Sequence, residues 1–361
     1  MGIAIVGFII LIASLVLVHE WGHFWVARKL KIKVEEFGFG FPPRLFGIRK
    51  KGIFYSFNLF PIGGFVRIFG EQGEGAGSPD SFISRPAWQR FMVIVAGVFM
   101  NLVLAWAFFS FGSFLGVPAA LDDDSAGANV RDVAITVIDV APESPAGRAG
   151  VQFGDIVLGL AVGDDEKTVE TVDDIQEFTA GHLGMDMTIA VRRGGQDLMF
   201  TVVPRQHPPE GEGPVGVALS RVGILQVPWY KALWVGLQQT WFSLTSVVIG
   251  MVALFTDLFS TGKISADVSG PVGIFRVAGQ AWALGLSYFL QLAAVLSVNL
   301  AVLNALPFPA LDGGRILFLA IEKIRGSRVD QKMEHMAHAV GFILLIVLMV
   351  AITYRDIVKL F

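Results

Sequence analysis

Four stretches of the chain are apolar enough, and close enough to the ~20 residues a bilayer demands, to cross a membrane as helices. They are Gly2 to Ala27, Met92 to Gly116, Ala281 to Leu303 and His338 to Tyr354. A further run, Ala232 to Thr256, has no charged residue, but its Gln239, Ser243 and Ser246 recur at helical spacing. That periodicity predicts a helix lying on the outer membrane surface. A crossing there would also move the later charged loop to the opposite face. The opening run lacks a basic leader and carries His19 and Glu20 where a cleavable signal would have small residues, so it is read as a retained helix.

Between the apolar runs the pattern changes. Ala134 to Val140, Asp155 to Leu160, Met187 to Arg192 and Leu198 to Val203 are short and β-branched, with a helical stretch near Val172 to Ala180. They predict a small α/β domain that ends at the Pro-, Gly- and Glu-rich stretch Pro204 to Pro214. Phe37 to Glu71 is aromatic and punctuated by Gly and Pro, as two strands joined by a turn near Lys51-Gly52 would be. Such backbone enters a membrane only where its polar groups are paired or line a cavity. The expected organisation is a first part of the membrane core over 1–120, the inserted domain over 130–205, a linker and outer-surface helical region over 206–280, and the rest of the core over 281–361.

Composition agrees with a membrane protein: 53% of residues are hydrophobic, 16% are charged, and mean hydropathy is +0.62. The net charge of -3, without a basic aromatic patch, gives no reason to expect a nucleic-acid partner. Where the charges lie says more. Arg28, Lys29, Lys31, Lys33, Arg44, Arg49, Lys50, Lys51, Arg67, Arg85 and Arg90 fall in the first loop, and Arg315, Lys323, Arg325, Arg328 and Lys332 in the third. The positive-inside rule makes both loops cytoplasmic, which leaves the N-terminus, the middle region Leu121 to Ser269 and the C-terminus outside.

With no cysteine in the chain, any metal must be held by histidine and carboxylate. His19-Glu20-Trp21-Gly22-His23 has the H-E-x-x-H spacing, which puts two imidazoles on one helix face with a glutamate between them, suited to a zinc ion and the water it activates. An acidic residue inside an apolar helix costs roughly 2.5–3.5 kcal/mol, so its presence calls for a function. Asn304 to Gly314, at the inner end of the third apolar run, supplies Asp312 as a third ligand. Pro307 and Pro309 interrupt regular helix there, and Gly313-Gly314 allows a tight turn. An Asp312 that only caps the next helix is the alternative. His182, His207, His335 and His338 are read as structural.

At these residues the chain resembles the site-2 protease family of intramembrane zinc metalloproteases, in its bacterial RseP type. The likeness rests on His19 to His23, Gly38-Phe39-Gly40 with Pro43 and Leu45-Phe46, Asn58-Leu59 through Pro61-Ile62-Gly63-Gly64, Ser269 to Ile274, and Asn304 to Gly314. Ala141 to Val151, followed by Gly154-Asp155, resembles the outer PDZ domain of the same enzymes, present here as one copy. The second span reads Ala96-Gly97-Val98-Phe99-Met100-Asn101, where many relatives have Pro after the Gly.

The resemblance implies a polytopic α-helical membrane protein of four transmembrane helices, with a membrane-associated β-hairpin and one inserted PDZ-like domain on the extracytoplasmic side. It implies a Zn2+ held by His19, His23 and Asp312, and Glu20 as general base. Asn304, Pro307, Pro309, Gly63 and Gly64 are expected along the substrate. The implied setting is the bacterial inner (plasma) membrane, with surrounding lipids. The implied partners are single-pass transmembrane substrates, such as anti-sigma factors or remnant signal peptides. A PDZ-bearing scaffold that binds without cleaving is the main rival, and the intact Glu20 speaks against it. A zinc transporter is another, but neither the His pair nor Asp312 recurs in a second half.

Overall fold

A computed structural model describes residues 2–121, 130–262 and 270–358; Ser269 of the motif quoted above lies outside them. The chain forms two compact units, one of Met1–Phe111, Leu233–Trp282 and Phe289–Phe361, the other of Gly112–Ala232 and Ala283–Tyr288.

The first unit is built on long helices: α1 (Gly2–Lys29), α2 (Ala87–Leu115), α5 (Trp229–Thr261), α6 (Pro271–Leu284), α7 (Leu286–Ala305), α8 (Asp312–Arg325) and α9 (Gln331–Val358). Five of them, α1, α2, α5, α7 and α9, are long and apolar enough to cross a membrane. The sequence pattern had set α5 apart as a surface helix. By length and hydropathy it stands with the other four. The third apolar run also differs from expectation, because Gly285, at φ 121°, breaks it into α6 and α7. An L side chain rarely adopts that conformation, and glycine does so freely.

Packing sets the helices around the site. Leu11 and Leu15 of α1 meet Phe289 and Ala293 of α7, while Ala105 and Phe109 of α2 meet Ala294, Val298 and Val302 on another face of α7. Gly22 brings α1 and α2 almost to backbone contact, since a Cβ there would lie 2.4 Å from the Ala96 carbonyl oxygen.

The segment after α1 forms strands β1 (Val34–Lys50) and β2 (Ile53–Ile68), turning at Lys51-Gly52 as the sequence predicts. Both turn residues have positive φ, 51° and 82°, the geometry of a two-residue type I′ hairpin. The pairing exceeds a simple hairpin. Gly38 faces Phe65 on one side and Ser56 on the other, while Gly47 also pairs with Ser56. The hairpin is therefore folded over, with 36–39 lying between the two halves of β2. The proximal half of β1 alternates between buried and partly buried positions, and the distal half is exposed throughout, including Phe41, Leu45, Phe46 and Ile48.

The second unit is a sheet in the order β3-β9-β4-β5-β7-β8, made of β3 (Val117–Ala120), β4 (Val130–Val140), β5 (Ile156–Val162), β7 (Met187–Arg193), β8 (Gln196–Val202) and β9 (Val217–Leu225), with β6 (Asp165–Thr168) paired to β5. Helices α3 (Pro145–Ala149) and α4 (Val172–Gly181) accompany it, α4 beginning in a Thr171–Asp174 capping box. Val137, Val157, Ile175, Met187 and Val191 lie in its core. Asp155 is fully buried and held by two 2.6 Å bonds from Arg193, whose guanidinium also donates to the Gly150 carbonyl. The sheet takes in Val217–Leu225, beyond the boundary at 205 drawn from the Pro- and Gly-rich stretch. That stretch is a loop within the fold, because β9 pairs with β4 from Val130 to Val140.

Candidate metal centre

The H-E-x-x-H residues lie in the last part of α1, where the four-residue spacing sets His19 and His23 edge to face, with ring centroids 4.7 Å apart. Asp312 is the first residue of α8, and its carboxylate turns toward the imidazoles instead of capping its own helix. Its Oδ2 is 3.1 Å from His19 Nε2 and 3.3 Å from His23 Nε2, and the two Nε2 atoms are 3.2 Å apart. Ligands about 2.0–2.1 Å from a tetrahedral zinc ion would be separated by about 3.3 Å, so the three atoms fit one ion. Asp312 Oδ2 is buried yet accepts no well-aligned hydrogen bond, as an oxygen reserved for a cation would be. Burial alone would make the Asp312 carboxyl harder to ionise, but the two imidazoles override it and hold the group below the ordinary carboxylate range.

The chain is shaped to deliver that aspartate. Between α7 and α8 the backbone is unwound, and Ala310, at φ 79°, donates its N–H to His338 Nδ1 of α9 at 2.8 Å. Gly313 and Gly314 are buried, and a Cβ on either would run into the Leu306 or Phe308 carbonyl at 2.0 or 2.4 Å. Pro309 packs through its carbonyl against Gly341 of α9. Helix α8 is in turn tied to the start of α2 by the Arg90–Glu322 ion pair.

Helix α2 completes the surround. The Val93 carbonyl accepts from His23 Nδ1 at 2.8 Å, which leaves Nε2 free to ligate. Asn101, fully buried, sits 3.3 Å from His19 Nδ1. Gly97 lies between these two contacts. A Cβ on it would come within 2.3 Å of His23 Nε2 and 2.7 Å of His19 Cε1, so only glycine leaves room for both rings.

A cavity of about 350 Å³ opens on the centre, lined by His19, Glu20, His23, Phe65, Asn304 and Asp312 among others. Glu71 and Arg315 also line it and form an ion pair with each other. Gly64 is buried beside Glu20, with the Glu20 Cγ 3.6 Å from where its Cβ would be. Gly63, at φ 124°, packs its open side against the Phe41 ring. Pro307 is exposed and Pro309 half-buried, and neither is among the described residues lining the cavity. Sequence reading thus brought His19, Glu20, His23, Asn304 and Asp312 to one place, and left out Val93, Gly97, Glu71 and Arg315. Asn101 had been noted only as part of the second span. An asparagine four residues after a glycine inside an apolar helix was the available signal.

The chain is similar to known proteins along nearly its whole length. The model of the family described as "Peptidase family M50" matches residues 7–348. A Clostridium perfringens relative, whose name proposes a zinc metalloprotease, is 36% identical over 347 residues, covering 96% of each chain. The protein named zinc metalloprotease RasP in Oceanobacillus iheyensis is 27% identical, covering 99% of each chain. Its namesake in Geobacillus kaustophilus is 29% identical, covering 99% of this chain and 98% of the relative.

Proposed function

This chain belongs to peptidase family M50, the site-2 proteases, and is a zinc-dependent protease; we propose that it cuts single-span membrane proteins within the membrane. The observation that carries this reading is the convergence of His19, His23 and Asp312 beside Glu20, on a cavity bordered by a strand. His19, His23 and Asp312 would hold the zinc, which when bound makes water more acidic and polarises the scissile carbonyl. Glu20 takes the proton from the attacking water and passes it to the leaving amine.

Substrate is held by backbone pairing. Residues 64–68 of β2 pair with β1 along one edge, and among the described residues no strand occupies the other. Phe65, Val66 and Ile68 of this strand line the cavity. An unwound substrate segment added there satisfies its own backbone groups and lies extended across the metal centre. Gly63 and Gly64 keep that edge free of side chains, Asn304 meets the substrate near the scissile bond, and Pro307 and Pro309 shape its approach. The exposed apolar side chains of the distal half, Phe41, Leu45 and Phe46, rest against lipid, while the basic tip at Arg49-Lys50-Lys51 lies in the cytoplasm.

The fold reading retained here has four full crossings, with the sheet unit as a PDZ-like extracytoplasmic domain in a bacterial inner membrane. Two contacts support the parity. Leu233 of α5 accepts from Trp106 of α2, nine residues past Gly97 and so about 14 Å from the metal level. Gly270 and Gly273 donate to Asp356 of α9, eighteen residues past His338 and so about 27 Å from that level. Both contacts lie well away from the metal centre, which supports an even number of crossings between them. Substrates would be single-pass proteins already shortened outside, anti-sigma factors or remnant signal peptides among them. The test is purified enzyme in detergent with a tagged single-span substrate: cleavage that stops with a chelator and returns with zinc supports the reading, and cleavage that ignores the chelator overturns it.

A further inference from the structure

Asn101 has no assigned part in this chemistry, yet it is fully buried, its amide touches a metal-facing histidine, and its Oδ1 has no hydrogen-bond partner. Its backbone is fixed as well. The Asn101 carbonyl accepts from Ser297 Oγ of α7 at 2.7 Å, and Ser297 is itself fully buried. An amide so placed inside an apolar helix pair is costly unless it serves a partner.

The orientation of the amide is informative. Nδ2 lies 3.3 Å from His19 Nδ1, so as it stands the amide donates and the ring nitrogen accepts. The His19 proton is then on Nε2, the atom that lies 3.1 Å from Asp312 Oδ2 and 3.2 Å from His23 Nε2. That tautomer blocks the nitrogen that must bind a metal. A half-turn of the amide exchanges its two ends. Oδ1 then accepts from Nδ1–H, the orphaned oxygen gains a partner, and Nε2 is left with a free lone pair. His23 needs no such device, because the Val93 carbonyl can only accept and keeps its proton on Nδ1.

We propose that Asn101 is a positioning residue that fixes the tautomer of His19, its amide turned so that Oδ1 accepts from Nδ1–H and leaves Nε2 free to ligate. The inference rests on His19 being a ligand, as proposed above.

The test measures zinc affinity of the full-length protein in detergent by competition with a chromogenic chelator, comparing wild type, Asn101→Leu, Asn101→Ala, Asn101→Asp and His19→Ala. Removing an outer partner of a zinc-bound histidine typically costs about 10–100-fold in affinity, which is the loss expected for Asn101→Leu and Asn101→Ala. Asn101→Asp keeps an acceptor for Nδ1–H and is expected within about threefold of wild type. A residue that merely fills space would be hurt least by leucine and most by a buried carboxylate, the reverse order. Wild-type affinity in Asn101→Ala, or Asn101→Asp as weak as Asn101→Ala, overturns the inference. Should the variants fail to fold, nitrogen NMR of the zinc-loaded wild type decides: a His19 Nδ1–H hydrogen-bonded to Asn101 Oδ1 is expected, and an Nδ1–H with any other partner or none overturns it. His19→Ala separates the two levels, because zinc retained at full affinity there would refute ligation by His19 itself.

Discussion

Replacing Gly97 with alanine sets two effects of opposite sign against each other. Alanine in a helix interior is favoured over glycine by about 1 kcal/mol, so a helix with nothing beside it would be stabilised. Here the added methyl would lie 2.3 Å from His23 Nε2, 2.6 Å from His23 Cε1 and 2.7 Å from His19 Cε1. Ordinary carbon contacts are about 3.5 Å, so both rings must retreat by roughly 1 Å. In the metal-free protein they can swing aside, and the cost of overpacking, ~1–3 kcal/mol, is largely offset by the helix gain. With metal they cannot, because the ligand atoms are fixed relative to one another. Disturbing the support of a metal ligand costs up to about 100-fold in metal affinity, equivalent to roughly 2.7 kcal/mol. The assay is zinc affinity by chelator competition, alongside thermal unfolding with and without chelator. Gly97→Ala should lose about two decades of zinc affinity, while its chelator-treated unfolding temperature stays within a few degrees of wild type. Wild-type zinc affinity in this variant would show that the rings do not occupy the space that Gly97 leaves.

Asp312→Ala should lower metal content and cleavage together, because it removes one of three ligand atoms; stoichiometric zinc in the purified variant would mean that the third ligand lies elsewhere. Labels near Asp164 and the C-terminus should report the outer side, and labels near Lys50 and Arg325 the cytoplasm. A cytoplasmic C-terminus would mean that α5 makes an unpaired crossing. Deleting the sheet domain should leave zinc content unchanged, since no proposed ligand lies within it. The shortened enzyme should then cut substrates with bulky outer domains that the intact enzyme spares, and equal discrimination by the two would reject a screening role.

How far the sequence could be read depends on whether the deciding contact is local. The His19–His23 pair is legible because its geometry is that of one helical turn, and the turn at Lys51-Gly52 because both residues take positive φ. Asp312 was identifiable from the unwound, Gly- and Pro-marked segment around it. The folded-over hairpin was not legible, since 36–39 pairs on both edges with residues whose spacing carries no signal for it. Nor was β9, which joins the sheet by pairing with β4 across the entire small domain. The break at Gly285 was hidden by an apolar run that continues through it. The parts played by Val93 and Gly97 were out of reach for a related reason. One acts through its backbone carbonyl and the other by leaving room for two rings of α1, and both depend on which helix packs against α2.

The central claim is that Glu20 handles a proton beside a metal held by other residues, and Glu20→Gln tests it most directly. The amide keeps the size of the side chain but cannot accept the proton from water, whereas His19, His23 and Asp312 are untouched. Cleavage of a tagged single-span substrate and zinc content are measured on the same purified sample. The account predicts full zinc occupancy with cleavage lost by at least about 100-fold, the lower end of what a general base contributes. Turnover at the wild-type rate with zinc in place would contradict it.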